Sequence, residues 1–165
     1  MLRVREMVPA DYEGVRAVYQ AGMDTNNATF EVRSPQWSEF DAAHIARCRL
    51  VAMLDDVVVG WAALSSVSSR SVYRGVAEVS IYVDVDHANE GVGAQLLSRL
   101  VDDSENAGFW TLQSSIMSEN LASIRLHEKC GFRTVGLREA IGKDRNGRWR
   151  DTVLMERRSD QPQFV

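Results

Sequence analysis

The chain has 165 residues, 45% of them hydrophobic and 25% charged, with a formal net charge of −4. That length and composition fit one domain with enough apolar material for a core, and an acidic balance without a long basic block argues against a dedicated nucleic-acid binder. No run approaches the roughly 20 apolar residues of a membrane span, and the two cysteines, Cys48 and Cys130, lack metal-ligand spacing and argue against a disulfide framework. Both read as small buried apolar residues, which points to a reducing cytoplasm.

"LRVREM" reads as a first strand. "PADYEGVRAVYQAG" reads as a helix: Pro9 suits a first turn, Val15, Val18 and Tyr19 share a face, and Gly22 can end it. "TNNATFEVRSPQW" is polar and turn-rich, a loop. "SPQWSEFDAAHIARCR" predicts a second helix marked by Trp37, Phe40 and Ile45. "LVAMLD" and "VVVGWAALSSV" are strands joined by a hairpin turn at Asp55-Asp56, and "VAEVSIYVDV" is the next strand. Residues 91 to 107 predict a helix, with Val92, Leu96, Leu97, Leu100 and Val101 on one face and Gly108 as its stop. "WTLQSSIM" is a strand, and "SENLASIRLHEKCG" a helix capped by Ser118 or Asn120 and stopped by Gly131. "FRTVGLREAIG" and "RWRDTVLMERR" are closing strands joined by "KDRNG". The tail "SDQPQFV", residues 159–165, is expected to fray. The order predicts a single α/β (α+β) domain over residues 1–158: a mixed central sheet of about seven strands flanked by about four helices. His44 and His87 carry no supporting pattern and read as surface residues.

Two local patterns carry chemistry. In "ANEGVGA" a polar turn with Gly91 and Gly93 opens a helix. The free N–H groups and positive dipole at such an end can hold a diphosphate, and a side chain at either glycine would keep the phosphate from the backbone. Alone, the same glycines also read as easing a strand-to-helix turn. In "VAEVSIYVDV" the side chains alternate, with Val79, Ile81, Val83 and Val85 on one face and Glu78, Ser80, Tyr82 and Asp84 on the other. A carboxylate there is either a solvated charge or a base.

Together with "NLASIRLHEKCGF", the glycine turn resembles the two motifs of the GNAT acetyltransferase superfamily, and the resemblance runs through the element order of nearly the whole chain. Ala88, Asn89 and Glu90 depart from the Gln/Arg, Gly and Lys common in that family, so one donor and one favourable charge are replaced. "SSRSVYRGVAEVSIYV", "ATFE" (Ala28 to Glu31) and "GRWRDTVLM" (Gly147 to Met155) are similar to segments of the phosphinothricin acetyltransferase branch.

The resemblance implies acetyl-CoA as co-substrate, no metal, and Glu78 as the base that takes a proton from the acceptor amine. It implies that His127 assists the departing thiolate, with a packed helix histidine as the equal alternative. The backbone from Glu90 through Gly91, Val92 and Gly93 to Ala94 would cradle the diphosphate. Asn120, Ser123 and the strand around Tyr82, Val83 and Val85 would hold the pantetheine arm, a Tyr82 or Val83 amide polarising the thioester carbonyl. Phe30, Glu31, Tyr73 and Trp149 are candidate pocket walls, and Arg70 and Arg74 candidate partners for a substrate carboxylate. The acceptor expected is a small amino-acid analogue such as phosphinothricin, methionine sulfoximine or methionine sulfone, and the expected assembly a homodimer, with the basic stretch "GKDRNGRWRD" as a possible subunit contact. Two other functions fit the same sequence: an acetyltransferase acting on a protein or peptide amine, and a module that binds acyl-CoA without turnover.

Overall fold

The computed structural model describes all 165 residues, Met1–Val165. In chain order the elements are β1 (Leu2–Glu6), α1 (Tyr12–Asp24), α2 (Trp37–Ala43), β2 (Leu50–Leu54), β3 (Val57–Ser66), β4 (Val76–Val83), α3 (Val92–Asn106), β5 (Thr111–Met117), α4 (Leu121–Lys129), β6 (Arg133–Lys143) and β7 (Trp149–Arg158). One seven-stranded sheet runs β1-β2-β3-β4-β5-β7-β6. All neighbours are antiparallel except β4 and β5, which α3 connects as a parallel crossover. The predicted α/β (α+β) class, with seven strands and four helices, is the observed one.

Each face of the sheet has its own core. On one, Ala77, Val79, Leu112 and Ile116 pack against Leu96, Leu97 and Leu100 of α3. On the other, Val51, Trp61 and Ala63 pack under Tyr12, Val15 and Val18 of α1 and Phe40 of α2. The alternation of β4 therefore sends Ala77 and Val79 toward α3, and Glu78, Ser80 and Tyr82 toward α1.

Several boundaries differ from the sequence expectation. α1 runs past Gly22 to Asp24. Gly22 is needed for a close approach instead, since a Cβ there would lie 2.7 Å from Cδ2 of Tyr82. α2 stops at Ala43, because the Arg49 guanidinium takes the carbonyls of Asp41, His44 and Ile45 and the Asp41 carboxylate, holding residues 44–49 out of helical form. His44 is no surface residue: its ring lies 4.1 Å from that of Phe40, and burial lowers its pKa below the usual imidazole value. His87 is half-buried beside Asp84. Asn120 caps α4, its Oδ1 accepting from the Ser123 N–H at 3.2 Å. The tail lies packed on the domain. The Ser159 N–H donates to the Trp110 carbonyl at 2.8 Å, the Ser159 hydroxyl donates to buried Glu105, and Arg158 holds the Phe164 carbonyl at 2.8 Å. A short 3-10 turn, Pro162–Phe164, brings the Phe164 ring to 6.5 Å from the Trp110 ring.

Candidate active site

β4 and β5 share only three rungs, Val76–Thr111, Ala77–Leu112 and Glu78–Gln113. Past Glu78, β4 continues on β3 to Val83, and β5 continues on β7 to Met117. The two strands thus diverge, and a cavity of about 310 Å³ opens between them. Its walls come from both strands, from Tyr19 on α1, from Ala28–Glu31 on the loop after α1, and from Asn120, Ser123 and His127 around α4. Glu78 sits at the apex of the divergence.

Two carboxylates, Glu31 and Glu78, line the cavity, and no lysine or arginine does. Hydroxyls are frequent: Tyr19, Thr29, Ser80, Tyr82, Ser114, Ser115, Ser123 and Thr152. Burial pushes the Tyr19 phenol up to about 12, with Glu31 adding to it, and burial raises Tyr82 further. Both hydroxyls therefore stay protonated as donors near neutral pH.

His127 is 1% exposed. Its Nδ1 lies 2.7 Å from the Ser123 carbonyl oxygen, which can only accept, so Nδ1 carries the proton. Burial lowers the ring's pKa, against the opposing pull of that carbonyl. The ring is thus neutral, and Nε2 presents a buried lone pair with no partner in the chain. That geometry makes Nε2 an acceptor at rest, where a thiolate-assisting role needs a donor.

The loop carrying Ala28–Glu31 is clamped by the β6–β7 hairpin. Arg150 donates to the Asn26 carbonyl at 2.7 Å and to Asn27 Oδ1 at 2.9 Å, and Arg145 donates to the Met23 carbonyl at 2.8 Å. Asp144 accepts from Asn26 and pairs with Arg150. Burial opposes its charge, but hydrogen bonds from the Arg148 N–H, Asn26, the Asn146 N–H and Arg150 outweigh that and hold its carboxyl at about 2. Phe30 lies on the bare backbone of Gly142, where a Cβ would meet its ring at 3.2 Å.

The glycine turn is built as a helix start. Gly91 is the N-cap of α3 with φ 83°, and space is open where its Cβ would project. Gly93 has a different reason to be small: its Cβ would lie 2.9 Å from Leu126 Cδ2, so it lets α4 approach α3. Val92 is a core residue by its side chain, Ala94 is half-buried, and Glu90 is exposed. Val83 packs against the core on the α3 face, and Val85 is exposed in a turn after β4.

Of the predicted residues, Phe30, Glu31, Glu78, Tyr82, Asn120, Ser123 and His127 are brought together around the cavity. Arg70, Tyr73, Arg74 and Trp149 are not among its walls. Arg70 lies over the Tyr73 ring and Arg74 over the Trp110 ring, on the turn before β4, and Trp149 stacks with Lys143 on the exposed hairpin. Sequence reasoning missed Tyr19, Thr29, Ser114, Ser115 and Thr152 as wall residues. The adjacent serines in "WTLQSSIM" were the available signal.

A parallel pair opened into a V, beside a helix whose N-terminus is left open, is the arrangement of an acyl-CoA-dependent transferase. The model of the acetyltransferase (GNAT) family matches residues 14–132. The chain belongs to that family and is a GNAT N-acetyltransferase, similar to its phosphinothricin and methionine sulfoximine acetyltransferases. A phosphinothricin N-acetyltransferase of Alcaligenes faecalis is 34% identical over 164 residues, covering 93% of this chain and 81% of that one. An L-methionine sulfoximine/L-methionine sulfone acetyltransferase of Pseudomonas paraeruginosa is 29% identical over 159 residues, covering 93% and 92%. The crystal structure of a GNAT superfamily phosphinothricin acetyltransferase from Sinorhizobium meliloti, in complex with acetyl-CoA, superposes with a TM-score of 0.85 at 31% identity, covering 95% of this chain and 88% of that one.

Proposed function

We propose that the chain transfers an acetyl group from acetyl-CoA to the primary amine of a small amino-acid analogue such as phosphinothricin, methionine sulfoximine or methionine sulfone. The observation that carries this reading is the Glu78 carboxylate at the apex of the β4–β5 divergence, facing a cavity of about 310 Å³. An amine arrives protonated near neutral pH and cannot attack until it loses that proton, which Glu78 takes. Acetyl-CoA supplies the acyl group on a thiolate leaving group.

The chain's part is binding, orientation and proton handling. The N-terminus of α3, from Glu90 through Ala94, offers unpaired N–H groups to the diphosphate. Strand backbone at Tyr82 and Val83, free of any β5 partner, meets the pantetheine arm as an added strand would and gives a donor to the thioester oxygen. Asn120 and Ser123 flank the same space. His127 Nε2, an acceptor at rest, can pass a proton to the thiolate only after taking the second proton that the amine nitrogen gives up once it has attacked the thioester, so it acts after Glu78. Phe30 and Glu31 close the acceptor side, and the acidic wall suits the acceptor's ammonium group. Arg70 and Arg74 meet an acceptor carboxylate outside that wall.

A homodimer belongs to the same reading. β6 is an edge strand whose Val135, Leu137 and Ile141 are exposed, next to exposed Trp149 on β7, an apolar edge that a second copy would cover.

The test is CoA release from acetyl-CoA with phosphinothricin, methionine sulfone, methionine sulfoximine, ordinary amino acids and a short peptide, run beside Glu78→Gln. Turnover confined to the analogues, with kcat lowered about 10²–10⁴-fold by the substitution, is expected. Turnover of the peptide alone moves the function to protein modification, and an unaffected Glu78→Gln removes the base.

A further inference from the structure

Glu78 does not stand alone on its face of the sheet. Ser65, Glu78, Gln113, Glu156 and Arg133 are successive register partners across β3, β4, β5, β7 and β6. Register partners project to the same side, so these five form one polar row. Gln113 sits in its centre, between two carboxylates. Glu156 is paired with Arg133. Glu78 has no such cation; Gln113 Nε2 lies 3.1 Å from Glu78 Oε1, the one hydrogen bond the chain gives this carboxylate. Chemistry fixes the amide's orientation, because an ionised carboxylate accepts only and the NH₂ group must face it.

The position of this bond is specific. Glu78–Gln113 is the last rung before the strands part. Gln113 is absent from the cavity wall, whereas Glu78 is part of it, so the amide approaches the carboxylate from the closed side of the V. Oε1 is tied there and Oε2 is left for the acceptor. A hydrogen bond to the charged form of a carboxylate favours that form, and a second negative charge in its place disfavours it.

We infer that Gln113 is a positioning residue for the base: by donating to Oε1 it fixes the rotamer of Glu78, and it separates that carboxylate from Glu156. The inference rests on Glu78 being the base, and the experiment keeps the two apart. Glutamate side chains are labelled at Cδ, and Glu78 is assigned by its missing ¹³C resonance in Glu78→Gln. The titration of that resonance is compared in the parent, Gln113→Leu and the isosteric Gln113→Glu. The midpoint is expected to rise in that order, by about one pH unit for Gln113→Glu. Coincident midpoints overturn the inference without reference to activity. The acidic limb of kcat/KM for acetyl transfer to methionine sulfone is expected to move in the same order, making Gln113→Glu about tenfold slower on that limb, since one pH unit is tenfold in protonation. Midpoints that move while the limb stays in place overturn the base assignment, and with it any catalytic part for Gln113. A loss of kcat in Gln113→Leu with no displacement of the limb reduces Gln113 to a structural residue.

Discussion

Gly75→Ala is the most local test of how the turn bearing Arg70 and Arg74 is joined to the strand bearing Glu78. Gly75 is buried against the indole of Trp110. A Cβ at Gly75 would lie 2.1 Å from Trp110 Cε3, 2.3 Å from Cζ3 and 2.4 Å from Cδ2. Non-bonded carbons settle at about 3.5–4.0 Å, so the ring has to retreat by roughly 1.5 Å. It has nowhere simple to go. The Arg74 guanidinium lies 5.5 Å from its centroid, and the Phe164 ring of the docked tail 6.5 Å. The backbone N–H groups of Trp110 and Thr111 donate to the Gly75 carbonyl at 2.8 and 3.1 Å. Either the tail shifts or the first β4–β5 hydrogen bonds loosen. Overpacking of this kind costs about 1–3 kcal/mol, and each kcal/mol lowers the melting temperature of a chain this size by about 2–4 °C. The assay is thermal unfolding of Gly75→Ala, Trp110→Ala and the double variant. With the indole gone there is nothing to collide with, so Gly75→Ala should be nearly silent in that background, and the coupling should equal most of its single cost. Additive effects, or a Gly75→Ala protein that melts with the parent, refute the packing argument.

Two further outcomes follow from the geometry. Burial lowers the pKa of both His44 and His127 below the ordinary value of 6.5, so near that pH the unfolded chain binds protons that the folded chain refuses. Their contribution to stability is therefore complete above about pH 6.5 and is lost as the pH falls below it toward the depressed values; urea midpoints between about pH 5 and 8 should show this, with a flatter profile in His44→Gln and His127→Gln. At the turn proposed to hold the diphosphate, Gly91→Ala places a Cβ on a residue with φ 83° and costs about 1–2 kcal/mol, whereas Gly91→Asn tolerates that conformation; calorimetric titration with acetyl-CoA should rank the affinities parent, Asn, Ala.

The sequence exposed those features that short-range patterns dictate. Alternation in "VAEVSIYV" put Glu78, Ser80 and Tyr82 on one face, and they occupy it. The glycine turn before an apolar helix is the observed N-terminus of α3, where Gly93 also lets Leu126 approach. What stayed hidden depends on long-range register. Gln113 looks like any polar residue on a half-buried strand until the β4–β5 pairing sets it opposite Glu78. The end of α2 could not be read because apolar Ile45 and Cys48 continue a helical pattern that Arg49 breaks by capturing carbonyls. The tail looked unanchored because its polar residues conceal a docking of Ser159 on Glu105 and Phe164 on Trp110. Arg70, Arg74 and Trp149 share motifs with wall residues but lie on a turn and a hairpin outside the wall, which neighbours in sequence cannot reveal.

The divergence of β4 and β5 accounts for more of the site than any single residue. In a closed sheet, Glu78 on the α1 face and His127 on the α3–α4 face would be insulated from each other by the strands between them. Here the cavity passes through the sheet and is lined by residues of both faces: Ser80 and Tyr82 with Val79 and Ile81 on β4, Ser115 and Met117 with Ser114 and Ile116 on β5. Glu78 and His127 therefore line one space although they come from opposite faces of the sheet. The same opening leaves strand N–H and C=O groups without a strand partner, which a sheet interior does not tolerate unless water or an extended ligand replaces it. A pantetheine arm has the length and the amides to do so. Parallel pairing confined to three rungs thus leaves a seat for the proposed arm, puts the proposed base at its apex, and brings a buried histidine from the far side to the wall of the same cavity. Gln113 completes that apex from behind, at the one rung where a residue of β5 can reach Glu78 without entering the cavity.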